Sequence, residues 1–210
     1  MNAGYLSVWI ILVTIILLAT GWRRQLTGDV APAVLIAAGV GWLILRPFSI
    51  PFLSHTQIEL AMIWVICWSV VPIFRNGNRL MTIYLLFGAA MIGMLWFWMR
   101  RLYIVDPVFI VIHPLWDGPL IAGLFAGWMA VRFQDQLFLL TLAIFLGEFL
   151  LQYSLHLRLP AFGLGGAEWW DRFLLTLCTA RVSGACNVLI SKWTTRFRLD
   201  GYQDRGGQSS

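Results

Sequence analysis

The feature that most constrains this chain is a series of long apolar runs separated by short polar connections. Seven runs of about 15–21 residues can be read along it: 4–22, 30–45, 58–74, 80–99, 115–131, 137–157 and 172–191. About 20 apolar residues in a helix cross the hydrocarbon core of a bilayer. Helices and closed barrels are the structures that satisfy their backbone hydrogen bonds there. The sequence therefore predicts an all-α fold, a polytopic transmembrane helix bundle with about seven spans.

Six spans are the alternative, because the beginning of the fifth run is interrupted. Pro107, Pro114 and Pro119 break helical continuity in this region. Residues 102–114 are too short to cross the membrane as a helix. We expect them to lie on the membrane surface or to form a re-entrant piece.

Composition argues against a soluble protein. Hydrophobic residues make up 60% of the chain and charged residues 12%, whereas soluble domains carry about 25% charged residues. The net charge of +5 is spread over short loops and the tail, so no nucleic-acid surface is predicted. The expected partner is the lipid bilayer, with a second membrane protein or a further copy of the chain as additional partners. We predict one transmembrane domain over residues 1–200 and a disordered polar tail over 201–210.

The basic residues predict an orientation, because cytoplasmic loops carry an excess of Lys and Arg. An outside N-terminus places nine of them inside: Arg23, Arg24, Arg75, Arg79, Arg132, Lys192, Arg196, Arg198 and Arg205. Five are then outside: Arg46, Arg100, Arg101, Arg158 and Arg172. The prediction is a multi-pass protein of the cell membrane, of the bacterial inner-membrane type, with its N-terminus outside and its C-terminus cytoplasmic. Only the Arg100–Arg101 pair argues against it.

Two charged residues lie deep inside apolar runs. Glu148 is about ten residues from the end of the sixth run, and Arg181 is about ten residues from the start of the seventh. An unpaired charge at the bilayer centre costs at least about 2.5–3.5 kcal/mol, so equal depth predicts that these two side chains pair. Gln152 and His156 follow Glu148 at four-residue steps and extend a polar stripe, and Asn187 adds a polar group to the seventh run. This stripe is either a polar pathway or an ion pair that fixes helix register.

A second group of candidates lies in the predicted outer loops. His55 and His113 would share this side with His156. Glu59 follows His55 at i+4 and lies on the same helical face if the third run begins early. Zinc and acid–base sites need such groups, but the spacing matches no metal motif. We predict no metal and no cofactor. Asp117 begins Asp-Gly-Pro, which indicates a tight turn.

Two glycine-containing stretches predict local features. "GLFAG" at 123–127 is a GxxxG pattern, which favours close helix packing. "FGLGGAEWWD" at 162–171 is expected to be a flexible loop that ends in an aromatic anchor.

The size of the chain, its tryptophan-bearing first helix with the exit "GWRRQLT", and its run of short loops resemble the YphA-like bacterial membrane proteins. These are small polytopic proteins without an assigned activity. The resemblance covers most of the chain as a pattern and implies a polytopic helical fold. It carries no catalytic residue over to this sequence.

The leading functional hypothesis is a small transporter or accessory membrane protein with an outward-opening polar site around Glu148, Gln152, His156 and Arg181. One alternative is a membrane-embedded enzyme that uses the outer-face histidines and carboxylates. The other is a structural or assembly partner of a membrane complex. A continuous pocket reaching Glu148 would favour transport, converging histidines would favour an enzyme, and a closed bundle would favour the structural role.

Overall fold

The computed structural model of the chain describes residues 2–28, 30–53, 56–75, 77–155 and 162–206. These residues form eight α-helices: α1 Tyr5–Ala19, α2 Arg23–Thr27, α3 Pro32–Leu45, α4 Leu60–Arg75, α5 Arg79–Val105, α6 Asp117–Met129, α7 Phe133–Leu155 and α8 Ala167–Gly206. They also form three short strands, β1 Ser49–Leu53, β2 Thr56–Glu59 and β3 Phe162–Leu164, and a 3-10 turn at Pro107–Phe109.

Each predicted apolar run coincides with one helix, and the short α2 lies between the first two. This confirms the predicted helical membrane bundle. The strands lie at the end of the bundle where α8 begins, which we call the sheet end. The other end, which we call the opposite end, carries α2 and the connections between α4 and α5 and between α6 and α7.

Three helices are long and apolar enough to cross a bilayer by themselves. They are Arg79–Val105, Phe133–Leu155 and the part Ala167–Thr195 of α8. The apolar helices α1, α3 and α4 are shorter, with 15, 14 and 16 residues. A bilayer core of about 30 Å needs about 20 helical residues. The short helices α1 and α4 pack on the long helices α8 and α7, and α3 packs on α4.

The central element of the bundle is α7, which contacts α4, α5, α6 and α8. Its residues Phe138, Leu139, Leu140, Ala143 and Ile144 are at most 1% exposed. These residues point in all directions around the helix, and a helix that is apolar all round belongs inside a core. Any polar group on α7 therefore has to find a partner within the protein.

Glycines bring α5 and α7 into close contact. A Cβ atom on Gly147 would lie 2.8 Å from the carbonyl oxygen of Gly93 and 2.7 Å from Cδ1 of Trp96. Small residues permit such backbone approach between membrane helices. The crossing sets the Trp96 indole beside the next residue of α7, Glu148.

The last helix differs from its prediction at both ends. It begins at Ala167, five residues before the predicted run, because its first turns are buried rather than exposed: Trp169, Trp170 and Phe173 are at most 4% exposed. It continues to Gly206, past the start of the tail expected to be disordered. Extending an existing helix adds one hydrogen bond for each residue fixed, so a polar extension is far cheaper than a new helix. Residues 207–210 lie outside the described residues.

The small sheet was not predicted from the sequence. Strands β1 and β2 pair antiparallel with Ser49 opposite Glu59, and β2 pairs parallel with β3. Ile58 and Leu164 are partners in the second pairing and are 4% and 1% exposed. The sheet satisfies backbone groups at the end of the bundle while burying these side chains. The predicted helical face around Glu59 is therefore wrong, and so is the flexible loop where it covers 162–164.

The beginning of α1 is held by a residue of α8. The Asp171 carboxylate accepts hydrogen bonds from the backbone N–H groups of Gly4 at 2.8 Å and Ser7 at 2.6 Å. The first N–H groups of a helix have no partner inside it, and a side-chain carboxylate can satisfy them. Asp171 thus anchors α1 to α8 at the sheet end.

Candidate functional site

Buried charges of opposite sign form one cluster between α5, α7 and α8, which we call the Glu148 cluster. Oε1 of Glu148 lies 3.3 Å from Nη1 of Arg172 and 3.6 Å from Nε of Arg100, and it accepts a hydrogen bond from Nε1 of Trp96 at 3.1 Å. Nη2 of Arg172 also contacts Oε2 of Glu168 at 2.8 Å. One carboxylate oxygen therefore accepts hydrogen bonds from Trp96 and Arg172, on two neighbouring helices, and forms an ion pair with Arg100 as well.

The cluster is enclosed by protein. Glu148 is 6% exposed and Arg172 is 7% exposed, while Arg100 and Glu168 lie nearer the surface. Removing one partner of a buried pair leaves an uncompensated charge and costs about 3–5 kcal/mol. The arrangement favours a structural role for Glu148, in an ion-pair network that joins three helices. It is less suited to a role in which Glu148 exchanges protons.

The predicted pair of Glu148 with Arg181 is wrong. Arg181 donates from Nη1 to the carbonyl oxygen of Val131 at 3.0 Å and to Oε1 of Gln136 at 3.1 Å. Its Nη2 donates to the carbonyl oxygen of Gln25 at 2.6 Å. Arg181 thus closes the opposite end of the bundle, where α2 meets the start of α7.

The error comes from where α8 begins. Glu148 lies seven residues before the end of α7, and Arg172 lies five residues after the start of α8 at Ala167. Depth matching between antiparallel neighbours therefore selects Arg172. Arg181 is nine residues further along, which is about 14 Å at 1.5 Å per residue.

The other predicted members of the polar stripe do not join the cluster. Oε1 of Gln152, one turn beyond Glu148, is buried and has no hydrogen-bond partner among the described residues. Asn187 lies 15 residues beyond Arg172 on α8, about 22 Å along the helix axis. His156 lies outside the described residues.

The outer-loop candidates are only partly described. His55, like His156, lies outside the described residues. His113 is exposed, and its Nδ1 accepts a hydrogen bond from the backbone N–H of Leu115 at 3.1 Å. Within the described part of the chain, no three His, Cys, Asp or Glu residues come close enough to hold a metal ion.

Asp117 organises the connection before α6. Its carboxylate is 3% exposed and accepts backbone hydrogen bonds from Val111 at 2.9 Å, Ile112 at 3.1 Å and His113 at 3.2 Å. The hydroxyl of Tyr103 donates to the same carboxylate at 3.2 Å. Four donors on one carboxylate fix the loop and leave Asp117 no free face for chemistry. The turn predicted at Asp117 is wrong, because α6 begins at this residue and the turn lies at 114–116.

Glu59 lies in β2, outside the spanning helices, beside two tryptophans of the sheet end. It accepts a hydrogen bond from Nε1 of Trp170 at 3.2 Å, and the Trp170 and Trp42 rings meet edge to face with centroids 5.3 Å apart. Burial raises the pKa of Glu59, although the hydrogen bond from Trp170 and the charge of Arg46 oppose this shift. Glu59 therefore supplies a carboxylate close to Arg46.

A large apolar groove lies beside this tryptophan pair and was not predicted. It has a volume of about 610 Å³ and is lined by α1, α3, α4, α7 and α8. Four tryptophans line it: Trp42, Trp64, Trp68 and Trp170. The remaining lining is aliphatic or aromatic apart from Gln134. Because α1 packs on α8 while α3 packs on α4, the groove opens between these pairs towards the surrounding membrane.

A family model described as YphA-like integral membrane protein matches residues 3–205 of the chain. The chain belongs to this family. No curated protein and no solved structure matches it. Membership establishes an integral membrane protein and agrees with the resemblance seen in the sequence.

Sequence reasoning about this YphA-like protein missed Arg172 and the groove. Arg172 is the first residue of the predicted seventh run and was assigned to the outer side. Glu168 precedes it at i−4, a spacing that favours an ion pair on a helix. Trp64 and Trp68 stand inside the third run rather than at its ends, where membrane tryptophans are enriched. Their position inside the run could have predicted an internal aromatic surface.

Proposed function

We propose that this protein is an accessory membrane protein that holds a lipid chain in the groove between α1, α3 and α4. The groove is the observation that carries the proposal. Its volume of about 610 Å³ lies within the range of about 300–1,000 Å³ typical of ligand sites. Its lining offers almost no polar partner to water, and apolar cavities of this kind stay free of water. Hydrocarbon is the material that a bilayer supplies to such a space.

The length of the groove suits a single lipid chain. Its lining on α3 runs from Val34 to Leu43, about 14 Å along the axis at 1.5 Å per residue. A flexible hydrocarbon chain is much thinner than a helix, whose diameter is about 10 Å, and it can lie along this length.

The polar groups support this proposal over transport through Glu148. The groove lining does not include any residue of the Glu148 cluster. Gln136 and Glu148 are twelve residues apart on α7, about 18 Å, and Leu139, Leu140 and Ile144 between them are fully buried. A proton path along α7 would have to cross that apolar layer. The closed packing around the Glu148 cluster also fits the structural alternative better than the enzyme alternative.

The proposal can be tested by filling the groove. Gly39 lines it, and a Cβ at Gly39 meets no atom within 4 Å. Gly39→Phe should therefore occupy the groove without breaking the fold, since replacing glycine in a helix also favours the helix. Native mass spectrometry of the protein released from mild detergent should show lipid bound to the unaltered chain and a several-fold loss in Gly39→Phe.

The matched control is Ala37→Phe, which adds a ring at an exposed position of the same helix outside the groove. It should retain lipid like the unaltered protein. Equal lipid retention in Gly39→Phe and the control would overturn the proposal. A dimer that Gly39→Phe dissociates would instead identify a second copy as the occupant.

A further inference from the structure

We infer that the groove selects a phospholipid with an anionic headgroup, whose charged oxygens bind Arg46 and Trp42 at the sheet end. This inference rests on the proposed lipid-binding role and specifies its ligand. An apolar lining cannot by itself distinguish one lipid from another, because the tails of bulk lipid are as apolar as the groove. Selection has to come from polar groups at one end.

Arg46 provides a cation at that end. It follows Trp42 by one helical turn, and its guanidinium carbon lies 5.1 Å from the centroid of the Trp42 ring, which lines the groove. No described carboxylate oxygen lies within 4 Å of Arg46. A guanidinium over an aromatic ring keeps the N–H donors of its own plane available. These donors match phosphate geometry.

Trp42 provides a second donor. Its Nε1 is buried and has no hydrogen-bond partner among the described residues. Two other tryptophans of the groove are satisfied, since Trp64 donates to the carbonyl oxygen of Ala38 at 3.1 Å and Trp170 donates to Glu59. A buried donor without an acceptor is destabilising. An anionic oxygen beside Arg46 would supply the acceptor that Trp42 lacks.

Arg181, near the opposite end of the groove, does not offer a comparable site. Arg181 lies 5.9 Å from the ring centroid of Phe133, a lining residue, but its terminal nitrogens already donate to carbonyl and amide oxygens. Glu59 near Arg46 reduces the positive potential at the sheet end without pairing with it. The difference between Arg46 and Arg181 favours a lipid with its headgroup at the sheet end and its chain along α3.

The test compares two lipids with identical chains, dioleoyl phosphatidylglycerol and dioleoyl phosphatidylcholine, added to the delipidated full-length protein. Native mass spectrometry should show tighter binding of the anionic lipid. Arg46→Gln should lower its affinity about tenfold, as expected for loss of a charge-assisted hydrogen bond. Binding of the zwitterionic lipid should stay unchanged. Trp42→Phe, which keeps the ring and removes the donor, should reduce the same preference.

The control is Arg79→Gln, which removes an exposed cation at the opposite end and should leave both affinities unchanged. Equal binding of both lipids, or an unchanged preference in Arg46→Gln and Trp42→Phe, overturns the headgroup inference while lipid binding stands. If neither lipid binds, the proposed function fails as well. Lower affinity for both lipids in Arg46→Gln would show that Arg46 supports the groove without recognising charge.

Discussion

At the scale of single residues, the groups that surround the Glu148 carboxylate explain why a charge is stable at this position. A carboxylate inside an apolar bundle needs hydrogen-bond donors or cations at its own depth, and α5 and α8 supply Trp96, Arg100 and Arg172. The two arginines come from separate helices, so the carboxylate joins both of them to α7. An unpaired carboxylate would be unfavourable at this depth, but these partners make Glu148 a contact point between three helices.

We expect a double-mutant cycle to identify the partner of Glu148. Arg172→Leu and Glu148→Gln should each lower the free energy of unfolding in detergent by about 3–5 kcal/mol, because each leaves a buried charge uncompensated. The double variant should be more stable than additivity predicts, by about 0.5–3 kcal/mol. Chemical denaturation followed by tryptophan fluorescence or circular dichroism measures these values.

The matched cycle uses Arg181→Leu with Glu148→Gln. These residues share no partner and lie far apart, so their effects should add within about 0.5 kcal/mol. Strong coupling of Glu148 with Arg181, together with none for Arg172, would contradict the structural assignment.

At the scale of elements, close packing of α6 on α8 depends on the predicted GxxxG pattern. A Cβ at Gly123 would lie 2.6 Å from the carbonyl oxygen of Thr176, and one at Gly127 would lie 2.6 Å from that of Ala180 and against Oγ of Ser183. Both glycines therefore contact α8 of the same chain. The pattern is used for internal packing, and these positions are not open for pairing with a second copy.

We predict that Gly127→Leu will destabilise the protein, because the added side chain has to push α6 away from α8. Overpacking typically costs about 1–3 kcal/mol, and a clash with backbone atoms places this variant at the upper end. The measurement is the thermal unfolding midpoint in detergent, with Gly39→Leu as control, since that position has open space. Equal midpoints for the two variants would show that α6 and α8 are not closely packed.

At the scale of the whole molecule, the bundle separates its two ends by charge. The structure places Arg181 at the opposite end, which raises the number of basic residues predicted for that side from nine to ten, against five. Asn2 lies at the sheet end beside the start of α8, and the spanning part of α8 carries the chain away to Thr195. Asn2 and Thr195 therefore lie at opposite ends of the bundle, as an odd number of passes requires.

Because cytoplasmic segments carry the excess of Lys and Arg, we predict that the opposite end faces the cytoplasm. A reporter that is active only in the cytoplasm should work when fused after Ser210. The same reporter fused after Leu155, at the sheet end, should be inactive. The reverse pattern would invert the orientation, and activity in both fusions would exclude a single topology.

What the sequence by itself determined was the class of fold, the family and the approximate place of each helix. These follow from the length and polarity of continuous segments, which depend on nearby residues alone. The start of α8, the strand pairing of Ile58 with Leu164, and the partner of Glu148 depended on contacts between distant segments. The groove was decided by tertiary structure too, because a volume exists only once α1 and α3 have packed on different helices. Arg181 had the right charge for Glu148, but nine residues of helical rise put it at the other end of the bundle.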